Sequence, residues 1–240
     1  MKGTERMGAS LSRQMPLRLK LRDEAGFDNF LEGRSGSTVA RIKQWLATPA
    51  VQPLLICGDS GTGKSHLLNA ACLERGATGY RVLHLSLREA GGLSPRALEG
   101  FETFHLICLD ELEALPPALE WEEALLHLYN RVLDACGQLL LASRAPPADQ
   151  QWTLPDLASR LRAAPVVQLA LLRDDQLQTL LKTRAAGRGL VMPDEVAAYI
   201  LKRARRDTGV LLGLLEQLDD ASLRHQRRLT VPFVKHILDW

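Results

Sequence analysis

The chain has 240 residues, 46% of them hydrophobic and 24% charged, with a formal net charge of +2 and a pI near 8.4. That length gives one large domain or a medium one joined to a small one, and the apolar fraction supplies a real core, which excludes wholesale disorder. The charge is too mild to argue nucleic-acid binding, no run of about 18 apolar residues is present to span a membrane, and residues 1–12 lack the apolar centre of a secretion signal.

In chain order, residues 1–12 read as a small, polar, flexible tail in which Met7 is an alternative start. Gln14 then opens a stretch where Met15, Leu17, Leu19 and Leu21 alternate with Pro16, Arg18 and Lys20. An exposed apolar stripe needs a cover, and period-two alternation fits an edge strand and an extended docking peptide equally. "FDNFLEG", Phe27 to Gly33, follows, and "SGSTVARIKQWLA" predicts a helix capped at Ser35 to Ser37 with Pro49 beyond its end. "PLLICG" predicts a buried strand and "GKSHLLNAACLERG" a helix closed by Gly76. "YRVLHLSL", "FHLICLDEL", "QLLLAS" and "APVVQLAL" predict further strands, with a helix "EWEEALLHLYNRVLDACG" stopped by Gly137 among them. From about Arg173 the strand signals cease and four helices follow, with Pro193 at a first-turn position and Gly187 and Gly189 after a helix. Short apolar strands alternating with helices imply a parallel sheet covered on both faces. The fold class is therefore α/β, with a tail over 1–21, an α/β domain over 22–170 and a small all-helical domain over 171–240. Cys57, Cys72, Cys108 and Cys136 form no C-x-x-C pair, so they read as buried free thiols of a reducing cytosol rather than a metal site.

The sharpest signal is "GDSGTGKSHLL", Gly58 to Leu68, which fits G-x-x-x-x-G-K-[ST] between a predicted strand and a predicted helix. Gly58, Gly61 and Gly63 let the backbone approach phosphates, and backbone N–H groups at the helix start face the anion. Lys64 supplies a charge for the β- and γ-phosphates and the Ser65 hydroxyl a ligand for Mg²⁺; Thr62 and His66 complete the candidate nucleotide-binding set. A chance glycine turn before a helix is the plain alternative. "LICLDE" supplies the acids that phosphoryl transfer needs: Asp110 at a strand end to hold Mg²⁺, directly or through water, and Glu111 to polarise an attacking water. Alone, acids after a strand serve as helix caps just as often.

With both motifs and a helical C-terminal domain, the chain resembles the AAA+ ATPases and, within them, the DnaA clade. "FDNFLEG" resembles the entry of the DnaA nucleotide domain, "GKSHLLNAA" its phosphate-loop helix, "ASRAPP" its sensor 1 strand end and "LPDLASRL" its arginine-finger segment. "LPDLASRL" with "LEQLDDAS" and "LTVPFVKHIL" resembles the Hda family of DnaA-homologous regulators most closely. That resemblance implies a clamp-binding peptide at Gln14-Met15-Pro16-Leu17-Arg18-Leu19, of the form Q-L-x-L-x-L with Met15 in place of Leu. It implies that Arg160 is an arginine finger entering the ATP site of a neighbouring DnaA, where a guanidinium on the γ-phosphate is worth roughly 10³–10⁵ in rate. Arg162 faces another side of a helix, and an ordinary exposed arginine is the alternative reading of Arg160. Arg206 aligns with the sensor 2 arginine, with Arg203 and Arg205 crowding the same stretch. Ser143-Arg144-Ala145 departs from the Ser-Asp-Arg of sensor 1, so an acidic role there is lost. Arg224 to Arg228 could touch DNA beside a clamp or form the wet end of a helix.

The implied protein is a cytoplasmic negative regulator of replication initiation. It would bind ADP or ATP with Mg²⁺ at Ser65 and Asp110, with ADP the form of the active state. Its partners would be DnaA, the DNA polymerase III beta sliding clamp and, mainly through the clamp, DNA; a homodimer is also compatible. The DnaA initiator continues past its lid into a DNA-binding domain, and this chain ends at Trp240 where a lid is expected to end, which favours a regulator. The rival expectation is an autonomous DnaA-like or helicase-loader-type ATPase using Lys64, Asp110 and Glu111. A third is an adaptor in which nucleotide only folds the lid.

Overall fold

The computed structural model describes residues 25–33, 37–48, 52–90, 92 and 94–240. The stretch Gln14 to Leu19 lies outside the described residues. Five strands, β1 (Leu54–Cys57), β2 (Val82–Ser86), β3 (Leu106–Asp110), β4 (Gln138–Ser143) and β5 (Val166–Gln168), form one sheet in the order β2-β3-β4-β1-β5. Every pairing is parallel, so β4 lies between β1 and β3 although both precede it in sequence. These strands are rich in leucine, which has no strong strand preference. Burial of both faces makes them strands: β1, β3 and β4 are buried at every position.

Alternate side chains feed two cores. Leu55, Leu85, Ile107, Leu109 and Leu141 pack with Leu125, Leu128 and Val132 of α4 (Leu119–Asp134) and with Leu157 and Leu161 of α5 (Pro155–Ala163). Leu54, Ile56, Leu106, Cys108 and Leu140 face the other way. They meet Ile42 and Leu46 of α1 (Thr38–Ala47) and Leu67, Leu68 and Ala71 of α2 (Lys64–Ala77). The buried Gln138 amide closes α1, donating from Nε2 to the carbonyls of Trp45, Leu46 and Thr48 at 3.1 Å each while Oε1 accepts from Arg75 at 2.9 Å. The start of the central strand thereby takes up carbonyls at the end of α1, beside the Thr48 N–H that caps Trp45 O and the Thr48 hydroxyl that donates to Gln44 O.

Several boundaries differ from expectation. Gly76 lies inside α2, and the left-handed turn falls on Gly79, at φ 83°. After α4 the left-handed residue is Cys136, at φ 56°, whereas Gly137 is packed so closely that an added Cβ would stand 3.1 Å from Val132. Cys136 is exposed, whereas Cys57, Cys72 and Cys108 are buried as expected. The predicted strand "YRVLHLSL" stops at Ser86 and passes straight into a single helical turn, α3 (Leu87–Ala90).

The C-terminal helices are α6 (Asp174–Gly187), α7 (Asp194–Arg203), α8 (Thr208–His225) and α9 (Val231–Leu238), with Pro193 as the N-cap of α7 rather than within its first turn. They enclose their own core of Leu177, Leu181, Val196, Ile200, Leu211, Leu215 and Val234.

Candidate functional site

A cleft of about 830 Å³ opens at the carboxyl edge of the sheet, between the loop after β1, the acids after β3 and the helical domain. The loop passes through Gly61 at φ 77° and Gly63 at φ 95°, a region that side chains with a Cβ rarely adopt. A Cβ on Gly61 would stand 2.8 Å from the Asp207 backbone, and one on Gly63 would stand 2.7 Å from the Phe30 ring. Gly63 is the N-cap of α2 and supplies no side-chain acceptor, so the first N–H groups of α2 are left for an anion. Lys64 Nζ donates to the carbonyls of Gly58 (2.6 Å) and Asp59 (2.9 Å), and Thr62 Oγ1 donates to Asp59 O at 2.9 Å. Ser65 and His66 line the same cleft.

Asp110 is buried beside it; its Oδ1 accepts from Glu111 N at 2.8 Å and its Oδ2 lies 3.9 Å from His84 Nε2. Burial pushes the His84 imidazole below its ordinary pKa, against the opposing pull of Asp110 and Glu89. Glu111 has a left-handed backbone, φ 58°, and its carboxylate accepts from Ser86 Oγ and Arg88 Nε, each at 2.7 Å. Burial alone would raise its pKa, but those two partners outweigh it and hold the carboxyl below the usual range. Among the described residues no group of three His, Cys, Asp or Glu side chains is placed to hold a metal by itself. At the end of β4, Ser143 is wholly buried and donates to Ala145 O at 2.6 Å, while the next residue, Arg144, lines the cleft.

The helical domain closes directly on the loop. Asp207 caps α8, accepting from Gly209 N (2.9 Å) and Val210 N (3.2 Å), and accepts from Ser60 Oγ at 2.7 Å. Thr208 Oγ1 donates to Gly61 O at 2.8 Å. Arg206 lies elsewhere: Nε and Nη2 grip Asp174 at 2.7 and 2.9 Å on the exposed surface, and it is not among the residues lining the cleft. The cationic lining from this domain is instead Arg184 of α6 and its C-cap Arg188, whose four-residue spacing is the sequence signal that could have found them. His66 acts as a bracket. Its Nε2 donates to Gly26 O at 2.9 Å, which leaves Nδ1 to accept from Arg184 Nη2 at 3.5 Å. Arg184 also donates to Asn29 O and Oδ1, each at 3.2 Å.

Arg160 is in the last turn of α5 and does not line this cleft. Its guanidinium lies 5.4 Å from the Tyr129 ring centre and donates to Asp156 Oδ1 at 3.2 Å. Glu122, buried on α4, fixes where α5 begins by accepting from Thr153 N (3.0 Å) and Leu154 N (2.7 Å). Nothing in the sequence flags Glu122, which looks like any acid in a first helical turn. Arg162 is exposed on another side.

A phosphate-type loop after β1, an acid ending β3, a polar residue ending the intervening β4 and a helical domain folded over the loop define the AAA+ class of P-loop proteins. A family model described as "Hda, lid domain" matches residues 174–238, and one described as "Bacterial DnaA ATPAse domain" matches residues 21–89. Together with the fold they make the chain an Hda- and DnaA-like AAA+ protein. The structure is similar to domain III of the Thermotoga maritima replication initiation protein DnaA, with a TM-score of 0.75 at 18% identity over 90% of this chain and 96% of that one. AMPPCP-bound DnaA from Aquifex aeolicus matches with a TM-score of 0.69 at 22% identity, over 87% of this chain and 71% of that one. The Thermotoga maritima RuvB Holliday junction branch migration motor matches with a TM-score of 0.67 at 17% identity, over 91% of this chain and 72% of that one. No helix among the described residues is long and apolar enough to cross a membrane.

Proposed function

We infer that the chain is a nucleotide-dependent regulator of DnaA. It binds an adenine nucleotide in the cleft, is tethered to the sliding clamp through Gln14, Met15, Leu17 and Leu19, and supplies Arg160 to the ATP site of a neighbouring DnaA. The observation that supports this reading is the position of Arg160: it does not line its own cleft, and it lies half-exposed on a helix whose start is pinned by Glu122, where a neighbouring molecule can reach it once it releases Asp156. Nucleotide binding is supported by the loop geometry and by the AMPPCP held by the similarly folded Aquifex DnaA.

Within the chain, the α2 N–H groups and Lys64 take the phosphates, with Lys64 exchanging the Gly58 and Asp59 carbonyls for phosphate oxygens. Ser65 and Asp110 would hold Mg²⁺, which offsets phosphate charge when bound. Arg184, Arg188 and Arg144 add positive charge around the cleft. Arg206, paired with Asp174, would have to leave that partner to act as sensor 2. Glu111 is engaged by Ser86 and Arg88, which disfavours its use as a base and supports weak or absent hydrolysis by the chain alone. The rival, an autonomous ATPase, has in its favour the intact loop and the Asp110–Glu111 pair. DNA is reached mainly through the clamp in this reading, and the protein works in the cytoplasm.

The test is hydrolysis of DnaA-bound ATP with this protein, ADP and clamp loaded on DNA, beside Arg160→Ala and a Gln14→Ala/Leu17→Ala double variant. Stimulation by the unaltered chain that falls at least tenfold in each variant is expected. No stimulation by the unaltered chain sinks the regulator reading, and turnover by the chain alone then favours the rival.

A further inference from the structure

Two buried side-chain atoms without a hydrogen-bond partner among the described residues, Asn69 Oδ1 and His84 Nε2, lie at one corner beside Asp110: Asn69 lines the cleft with Asp110, and His84, outside the lining, reaches Asp110 from the neighbouring strand. α2 leaves the loop and runs back across the sheet, so Cys72 Sγ lies 3.4 Å from Cys108 Sγ and 3.9 Å from Leu83 O. One helical turn from Cys72 toward the start of α2 is Asn69. Two residues from Cys108 toward the end of β3, on the same face, is Asp110. His84 is paired with Cys108 across β2 and β3, shares that face, and points Nε2 to within 3.9 Å of Asp110 Oδ2. Asn69 also follows Ser65 by four residues and so shares its helical face, and Ser65, Asn69 and Asp110 all line the cleft.

The chemistry of the corner is one-sided. Asp110 spends Oδ1 on Glu111 N and keeps Oδ2. Asn69 Oδ1 only accepts, and a neutral imidazole accepts at Nε2 when the proton is on Nδ1. Buried polar atoms are rarely left unpaired, and with that tautomer of His84 all three atoms accept, so together they want a group that presents only donors. A hydrated divalent cation is such a group: Mg²⁺ sheds its waters reluctantly, and each bound water points its O–H bonds outward. We propose that Asn69 and His84, together with Asp110, hold the water shell of a nucleotide-bound Mg²⁺ ion, as positioning residues behind Ser65. This rests on the nucleotide reading above and deepens it.

The experiment is titration of the full chain with fluorescent ADP, in EDTA and in millimolar Mg²⁺, supported by electron paramagnetic resonance of Mn²⁺ added with ADP. The unaltered chain is expected to bind ADP several-fold more tightly with Mg²⁺. Asn69→Leu and His84→Phe each keep the EDTA affinity within about twofold, lose at least threefold of the Mg²⁺ gain, and weaken Mn²⁺ uptake. Asn69→Asp, which keeps the acceptor, retains the gain and guards against a mere packing effect. Wild-type gain in both apolar variants, or ADP binding without any Mg²⁺ gain in the unaltered chain, overturns the proposal alone. Absence of ADP binding in every buffer overturns the nucleotide reading and this proposal with it.

Discussion

Asp207 concentrates several demands on one carboxylate. It satisfies orphan N–H groups at the start of α8 and accepts from Ser60 in the phosphate loop. Burial pushes its carboxyl pKa up, but Ser60, Val210 N and Gly209 N together hold it below its ordinary value of 3.8. The folded chain thus binds fewer protons here than the unfolded chain, so the contribution is complete above pH 3.8 and lost as pH falls through the folded value. Asp207→Ala should cost about 1 kcal/mol at pH 7, the usual worth of an N-cap. Chemical denaturation should find the gap between variant and parent closing below pH 4; a gap independent of pH would mean the carboxylate charge is irrelevant. The neighbouring Arg206 shows where sequence reading stopped. The resemblance pointed to it as a sensor 2 arginine, but the chain enters α8 only at Thr208, so residue 206 precedes the helix and turns toward Asp174.

At the scale of elements, the phosphate loop and the strand of Asp110 could be read because their signals are local: glycines at fixed spacing, and short apolar runs that end in polar residues. Helix ends were less legible, since Gly76 and Gly137 are needed for other reasons or tolerated, while Cys136 takes the left-handed turn. What positions α5 was not legible at all, because Glu122 acts across more than thirty residues of sequence on Thr153 and Leu154. Removing that carboxylate leaves two backbone donors without their acceptor. Glu122→Ala should therefore destabilise the chain by about 2 kcal/mol and depress stimulation of DnaA hydrolysis even at temperatures where it is fully folded. Glu122→Gln, which retains one acceptor oxygen, should recover part of both losses. Full stimulation by folded Glu122→Ala would show that α5 needs no such support.

For the molecule as a whole, the lid and the α/β domain each carry a core, and the polar bonds that close the cleft between them include Ser60 to Asp207, Thr208 to Gly61, and Arg184 to Asn29 and His66. A ligand seated there should add its binding energy to the unfolding equilibrium. ADP at a hundred times its dissociation constant should stabilise by about 2.7 kcal/mol, seen as a rise in melting temperature. Lys64→Ala should abolish the rise with little change in the melting temperature of the chain alone; an equal rise in both would place ADP outside this cleft.

The His66 bracket has a spatial consequence for the proposed tether. By fastening Gly26 to the phosphate-loop helix, it leaves only the stretch from Leu19 to Ala25 between the end of the docking peptide and a fixed point of the domain. However that stretch runs, it reaches at most roughly 25 Å. A clamp holding the peptide is therefore a near neighbour of the cleft, on a short leash. On the proposed function, it would search a small volume around one side of the domain, and the side from which DnaA could approach Arg160 would be chosen before the two proteins meet.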